Sequence, residues 1–367
     1  MYQNSKYEDI LTKLGIIFIL IILNLYILFL QVVYSKTAIT VDTLPIIETI
    51  DTDEVQSQVQ DIADLNGPIV AEAFALSNIT GYPIGKSYLG PFPHFELGIS
   101  IGAGCANMEY FNDDDPANDN GSFPCVFLNP VVHFGLGLGG GMDVLAKFFY
   151  FDKTVKDPGL EYDIATLSDF KVYSIGGKLR YNYISKKELL PFILKFGGIN
   201  FSIGADFMYG DVSVVGEYDY TFEDIDLSTT IVDKSLNVQF EGDYDAVIEW
   251  SIFSLTAQVL GYLDILYFFS FYSGFGLTCN IASFSIKFNG YGELTSDDEE
   301  FLIVAPDGLV GSLDFKTENE YRPYPLMPTY VVGLEINLFI LKINFETMVN
   351  LRNSNDVNAQ FGLRLDI

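Results

Sequence analysis

The sequence predicts an all-β protein, a transmembrane antiparallel β-barrel of about 10–12 strands preceded by a short helical N-terminal segment. Three observations predict it: large apolar residues alternate with small or polar ones, connections alternate between short and long, and aromatic side chains gather at strand ends. In "FPHFELGISIGAG" (92–104), Phe95, Leu97, Ile99 and Ile101 alternate with Glu96, Gly98, Ser100 and Gly102. A period of two is a strand with unlike faces. A soluble sandwich would clothe its water face in charged side chains, whereas glycine there weakens the strand and needs a reason. A membrane barrel supplies one, because it presents bulk to lipid and polar or small residues to a wet lumen. It also leaves no unpaired backbone edge in hydrocarbon.

Composition agrees. The 367 residues are 49% hydrophobic and 15% aromatic, with 31 Phe, 23 Tyr and 32 Gly, which suits many strands and turns. A net charge of −29 argues against nucleic-acid binding, since a phosphate-binding surface must be basic. With two His and three Cys, a Cys/His metal centre is not expected, nor is any cofactor.

The elements follow in order. Residues 1–35 read as a signal peptide: Lys6 and Lys13 precede an apolar run from Leu14 to Val33, and Val33 and Ser35 offer cleavage positions before Lys36. A run of this length can also span a bilayer, so an uncleaved anchor is the rival reading. Either way the chain is exported. Residues 36–90 form a helical lead-in beneath the barrel or a plug within it. Val55, Val59, Ile62 and Leu65 have helical spacing, Gly67-Pro68 interrupts it, and a second short helix is expected over Ile69–Leu76.

Residues 91–367 carry the barrel. Val132, Phe134, Leu136 and Leu138 alternate with His133 and glycines, and the register then recurs to the final Ile367. Strands are expected at 95–105, 128–140, 142–152, 169–184, 193–212, 244–259, 266–290, 329–340, 341–352 and 357–367. Twelve result if 266–290 is a hairpin. Short, periplasmic connections are read at Ser185–Pro191, Gly261–Ile265 and Phe339–Leu341. Long acidic external ones are read at Asn107–Pro124, Asp152–Ser168, Glu217–Lys234 and Glu293–Pro328.

The same phase nominates lumen-lining residues: Glu96, His133, Lys178, Arg180, Asp206, Glu335, Lys342, Glu346, Arg352, Arg364 and Asp366. Both signs are present, so they either pair across a narrow lumen or line a pore and set ion preference. His133 has no Ser–His–Asp or paired-histidine setting, so an enzyme is not expected. Cys105 and Cys125 flank the first acidic loop and can form a disulfide or remain two thiols. Asp113, Asp114 and Asp115 are weak calcium candidates, because the run lacks calcium-loop spacing.

On the leader, the alternating strands and the closing "VNAQFGLRLDI", the chain resembles bacterial outer-membrane β-barrel proteins. That resemblance implies a bacterial cell outer-membrane location, surrounding lipid as partner and assembly by the barrel-assembly machinery, although the last residue is Ile367 where an aromatic is common. "FPHFELGISIGAG" and "VVGLEINLFILKINFETMVNL…FGLRLDI" are also similar to spirochaete surface proteins of the surface-adhesin type. Two functions stay open. One is a narrow channel or uptake protein for ions or small solutes. The other is a surface-exposed adhesin whose acidic loops bind extracellular ligands, with the barrel as anchor.

Overall fold

The computed structural model describes residues 38–43, 47–49, 67–110, 121–154, 166–190, 193–229, 233–295 and 309–367. Two short strands, β1 (Ala38–Thr43) and β2 (Ile47–Thr49), precede a helix, α1, over residues 67–78. The second expected short helix is therefore present, with Gly67-Pro68 in its first turn, where proline is tolerated. The first lies outside the described residues. After α1 the chain runs without regular structure from Ile79 to Pro93.

Then come β3 (His94–Tyr110), β4 (Gly121–Gly139), β5 (Met142–Thr154), β6 (Thr166–Ile184), the short β7 (Lys187–Leu190), β8 (Leu194–Thr229) and β9 (Asp233–Ile265). The chain ends with β10 (Phe269–Thr295), β11 (Leu309–Tyr321), β12 (Leu326–Leu338), β13 (Leu341–Asn350) and β14 (Val357–Asp366). Antiparallel ladders link β3, β4, β5, β6, β8, β9, β10, β12, β13 and β14 in a ring, and β14 closes onto β3 from Val357↔Cys105 to Asp366↔Glu96. These ten strands correspond one to one with those expected from the sequence, and 266–290 belongs to one strand rather than a hairpin.

The two faces divide as the alternation requires. Leu97 and Ile99 are 50% and 57% exposed, while Glu96 and Ser100 on either side of them are 0% and 2% exposed. Exposed Phe, Tyr, Leu and Ile form the outer belt, and Glu, Lys, Arg, Asn and Ser are buried inside. This is a barrel turned out toward lipid.

Short turns close one end. Gly139, Gly140 and Gly141 turn with positive φ, and so do Leu266, Tyr267 and Phe339. The turn read at Gly261–Ile265 is displaced, since those residues extend β9 and the reversal follows at 266–268. At the other end the strands outgrow the barrel. Glu217–Lys234, read as a loop, is mostly a continuation of the β8–β9 ladder, which holds to Ser228↔Asp233. Tyr218, Tyr220, Phe222 and Ile225 interleave with the carboxylates there, and such residues favour strands. Likewise β11 lies inside the connection read as Glu293–Pro328 and pairs with β10.

Candidate functional site: an occupied lumen

The glycine-rich inner face has a direct structural cause. A Cβ at Gly104 would stand 2.5 Å from the Ala73 carbonyl oxygen of α1, and one at Gly137 would collide with the Gly90 carbonyl. Residues 67–90 lie inside the ring, and the wall is stripped of side chains where their backbone passes.

One side of the contact is apolar. Leu76 and Ile79 pack with Leu260, Tyr262, Tyr272, Met327, Val331 and Met348, while Phe74 sits 4.4 Å from the Phe127 ring and 4.7 Å from Trp250. The rest is polar, in layers along the segment. Nearest the long-loop end, Asn350 Nδ2 donates to Glu72 Oε2 at 3.2 Å and to Asp356 Oδ2 at 3.1 Å. Lower down, Asn78 Nδ2 donates to the Ser254 hydroxyl at 3.0 Å and to the Asp206 and Ile252 carbonyls at 3.3 Å each. At this level Lys147 bridges the wall and the segment. Its ammonium lies 2.9 Å from Asp206 Oδ1 and donates to the carbonyls of Asn78 and Thr80. Tyr82 OH donates to the same Asp206 oxygen at 2.9 Å, and Lys178 lies over the Tyr82 ring, 4.8 Å from its centre.

Below that, Arg364 spans two carboxylates. It donates to Glu96 and to Glu335 Oε2, the latter at 2.5 Å. Glu335 also accepts from Asn344 at 2.7 Å and from the Gly85 backbone N–H at 2.9 Å. Arg180 holds Asp143 in a two-pronged pair at 2.7 and 2.9 Å and donates to the Lys86 carbonyl, and Asp143 accepts from the Leu89 N–H. Planar guanidinium–carboxylate forks of this kind fix both partners. At the short-turn rim Asp366 accepts from Lys86, with His94 Nε2 at 2.5 Å.

The wall residues singled out from the sequence are therefore brought together, with a few distinctions. His133 is buried beside Glu96, with Nδ1 3.8 Å from Oε1. Glu346 accepts from Tyr272 and Gln360, and Lys342 donates to the Phe339 carbonyl near Asp366. Arg352 does not join them, because β13 ends at Asn350. Arg352 is exposed in the following turn, with its guanidinium 3.4 Å from the centre of the Tyr324 ring. Cys105 is a free thiol, and the β3–β4 register sets it opposite Val126 rather than Cys125. Asp113, Asp114 and Asp115 lie outside the described residues, and no metal-binding cluster occurs among those that are described.

Sequence reasoning missed Asp143 and Lys147. The signal was there: Met142, Val144, Ala146 and Phe148 alternate with Asp143, Leu145 and Lys147. The register then sets Asp143 directly opposite Arg180.

No curated protein matches the chain. The transport unit of the Escherichia coli autotransporter AIDA-I is similar, with 9% identity, covering 82% of this chain and 98% of its own, at a TM-score of 0.27. The Ralstonia pickettii toluene transporter TbuX shows 10% identity over 81% and 93% of the two chains, with a TM-score of 0.22. Ail, the attachment invasion locus protein of Yersinia pestis, shows 10% identity over 75% and 98%, with a TM-score of 0.20. A family sequence profile is more decisive, because it matches residues 49–365: the chain belongs to the Lsa36-like family.

Proposed function

We propose that the protein is a closed outer-membrane barrel that anchors an acidic interaction surface, with residues 67–90 as its plug. The observation that carries this reading is the occupied lumen. Ala71, Ala73, Ala75, Leu76 and Asn78 are each 0% exposed inside the ring. Asp143, Lys147, Arg180, Glu335 and Arg364 are paired with opposite wall charges or with the segment's backbone, and Lys178 and Glu346 are held by neutral wall side chains. The strand extension at 216–245 holds nine carboxylates against the single Lys234, so the partner it fits is basic.

Conductance tests the closed state. Refolded residues 36–367 in a planar bilayer are expected to be silent yet folded and heat-modifiable, and deletion of 36–90 is expected to produce discrete steps. Steps of cation-selective current from the undeleted chain would overturn the plug. Binding tests the surface. Immobilised poly-lysine is expected to retain the refolded barrel at ~0.05 M salt and release it near 1 M, where screening lengths fall to about 3 Å. Equal retention at both would defeat the electrostatic reading.

A narrow uptake channel is the second reading. It is favoured by wall acceptors such as Asp206 Oδ2 and Glu335 Oε1, which have no partner among the described residues, and by a cavity of ≈ 240 Å³ at the short-turn mouth, lined by Lys86, Lys186, Lys195, Lys342 and Asp264.

A further inference from the structure

We infer that the barrel displays its own N-terminal chain, because residues 67–90 thread the lumen in one direction and the upstream strands β1 and β2 lie on the long-loop side. This rests on the reading that the long-loop end faces outward.

The direction is fixed by a sequence of contacts. Gly67 lies against the Tyr321 ring, at the end of β11, and Glu72 shares Asn350 with Asp356, at the turn between β13 and β14. Asn78 reaches Asp206 and Ser254 within the barrel. Gly85 then meets Glu335, Lys86 meets Asp366, and Gly90 lies over Gly137, next to the 139–141 turn. Finally Phe95 and Ile367 exchange backbone hydrogen bonds at 3.0 and 2.9 Å, where β3 begins. The descent runs from the long-loop end to the short-turn end without reversal.

Upstream, the backbone is found where that direction requires. β1 pairs with β11 from Ala38↔Lys316 to Thr43↔Gly311, and β11 is not a member of the ring. β2 pairs with Thr229 and Ser228 at the tip of β8. That tip lies well past Val215, the last residue of β8 paired with β6, and strand rise makes the distance about 45 Å. Two separate pairings therefore place residues 38–43 and 47–49 on the projecting part. A return to the short-turn side would need a second passage through a lumen whose α1 side chains are already buried, or through lipid. Residues 37–66 carry seven carboxylates and no Lys or Arg. Their display adds to the acidic surface of the β8–β9 extension, so a basic partner would meet both.

The test is epitope insertion at three places in the full chain: after Thr43, at Ser354 in the β13–β14 turn, and at Gly140. Antibody is applied to intact and to permeabilised cells, and heat-modifiable migration confirms that each variant folds. The expected pattern is labelling of the first two on intact cells and of Gly140 only after permeabilisation. Labelling at Ser354 but not after Thr43 on intact cells would overturn the threading while leaving the outward long loops in place. Labelling at Gly140 alone would overturn the orientation, and the display with it. The unmodified chain gives an independent readout: protease added to intact cells should cut upstream of Gly67 and leave the ring protected. An uncut upstream chain, beside cut long loops, would again defeat the inference.

Discussion

Arg364 shows how a single residue ties the wall of this lumen together. It is buried between Glu96 on β3 and Glu335 on β12, and it stands on β14, the strand that seals the ring. Removing one partner of a buried charge pair costs about 3–5 kcal/mol, because the other is stranded without water. Arg364→Leu strands two carboxylates, so the unfolding free energy of the refolded barrel, read from its denaturant midpoint, should fall by that order. Arg364→Lys should recover only part, since one ammonium cannot reproduce a fork aimed at both. Equal midpoints for wild type and Arg364→Leu would show that the pairing carries no stability. Arg352→Ala, in an exposed turn, should change the unfolding free energy by less than about 0.5 kcal/mol. Both arginines sit in the same alternation, yet only Arg364 is in the wall. Alternation reports which face a residue would take on a strand, but it does not report where the strand stops.

At the scale of elements, the ten ring strands were legible because one buried and one lipid face impose a strict period of two. The register held even through glycine-rich β3 and β4. What was not legible was strand length. β8 and β9 continue far beyond any bilayer, and the carboxylates that mark 217–234 as a loop alternate with Tyr, Phe and Ile that keep the ladder going. Pairing partners outside the ring, β1 with β11 and β2 with β8, have no local signal at all. The partner of the lumen wall was hidden for the same reason, although the glycines at 102, 104 and 137 recorded its presence. Gly104→Val tests that record. A larger side chain there meets the Ala73 carbonyl, so α1 should be dislodged while the ring persists. The expected result is protease cleavage within 67–78 in a barrel that remains heat-modifiable, and resistance equal to wild type would show that the wall tolerates bulk.

At the scale of the whole molecule, the threaded segment constrains export. A chain whose upstream part is on the long-loop side cannot remain tethered to the inner membrane through 14–33. The outer-membrane form is therefore expected to begin at Lys36, and N-terminal sequencing of purified barrel should read Lys-Thr-Ala-Ile. Recovery of Met1 in the folded barrel would contradict both cleavage and threading. Acidic residues dominate the displayed end, whereas the short-turn mouth gathers Lys86, Lys186, Lys195 and Lys342. Charge thus follows the axis of the barrel.

The passage of residues 67–90 through a ring closed by β14 and β3 also makes the molecule a bead held on its own string. Neither end of that string is free to slip: below, the segment turns directly into the ring's first strand, and above, β1 and β2 are stitched to the projecting sheet. Closing the β14–β3 seam around a segment already in transit is the assembly order that this threading predicts. A force pulling Ala38 away from the cell would first peel β1 and β2 from the projecting sheet, then draw on the lumenal hydrogen bonds one layer at a time, and only then reach the seam.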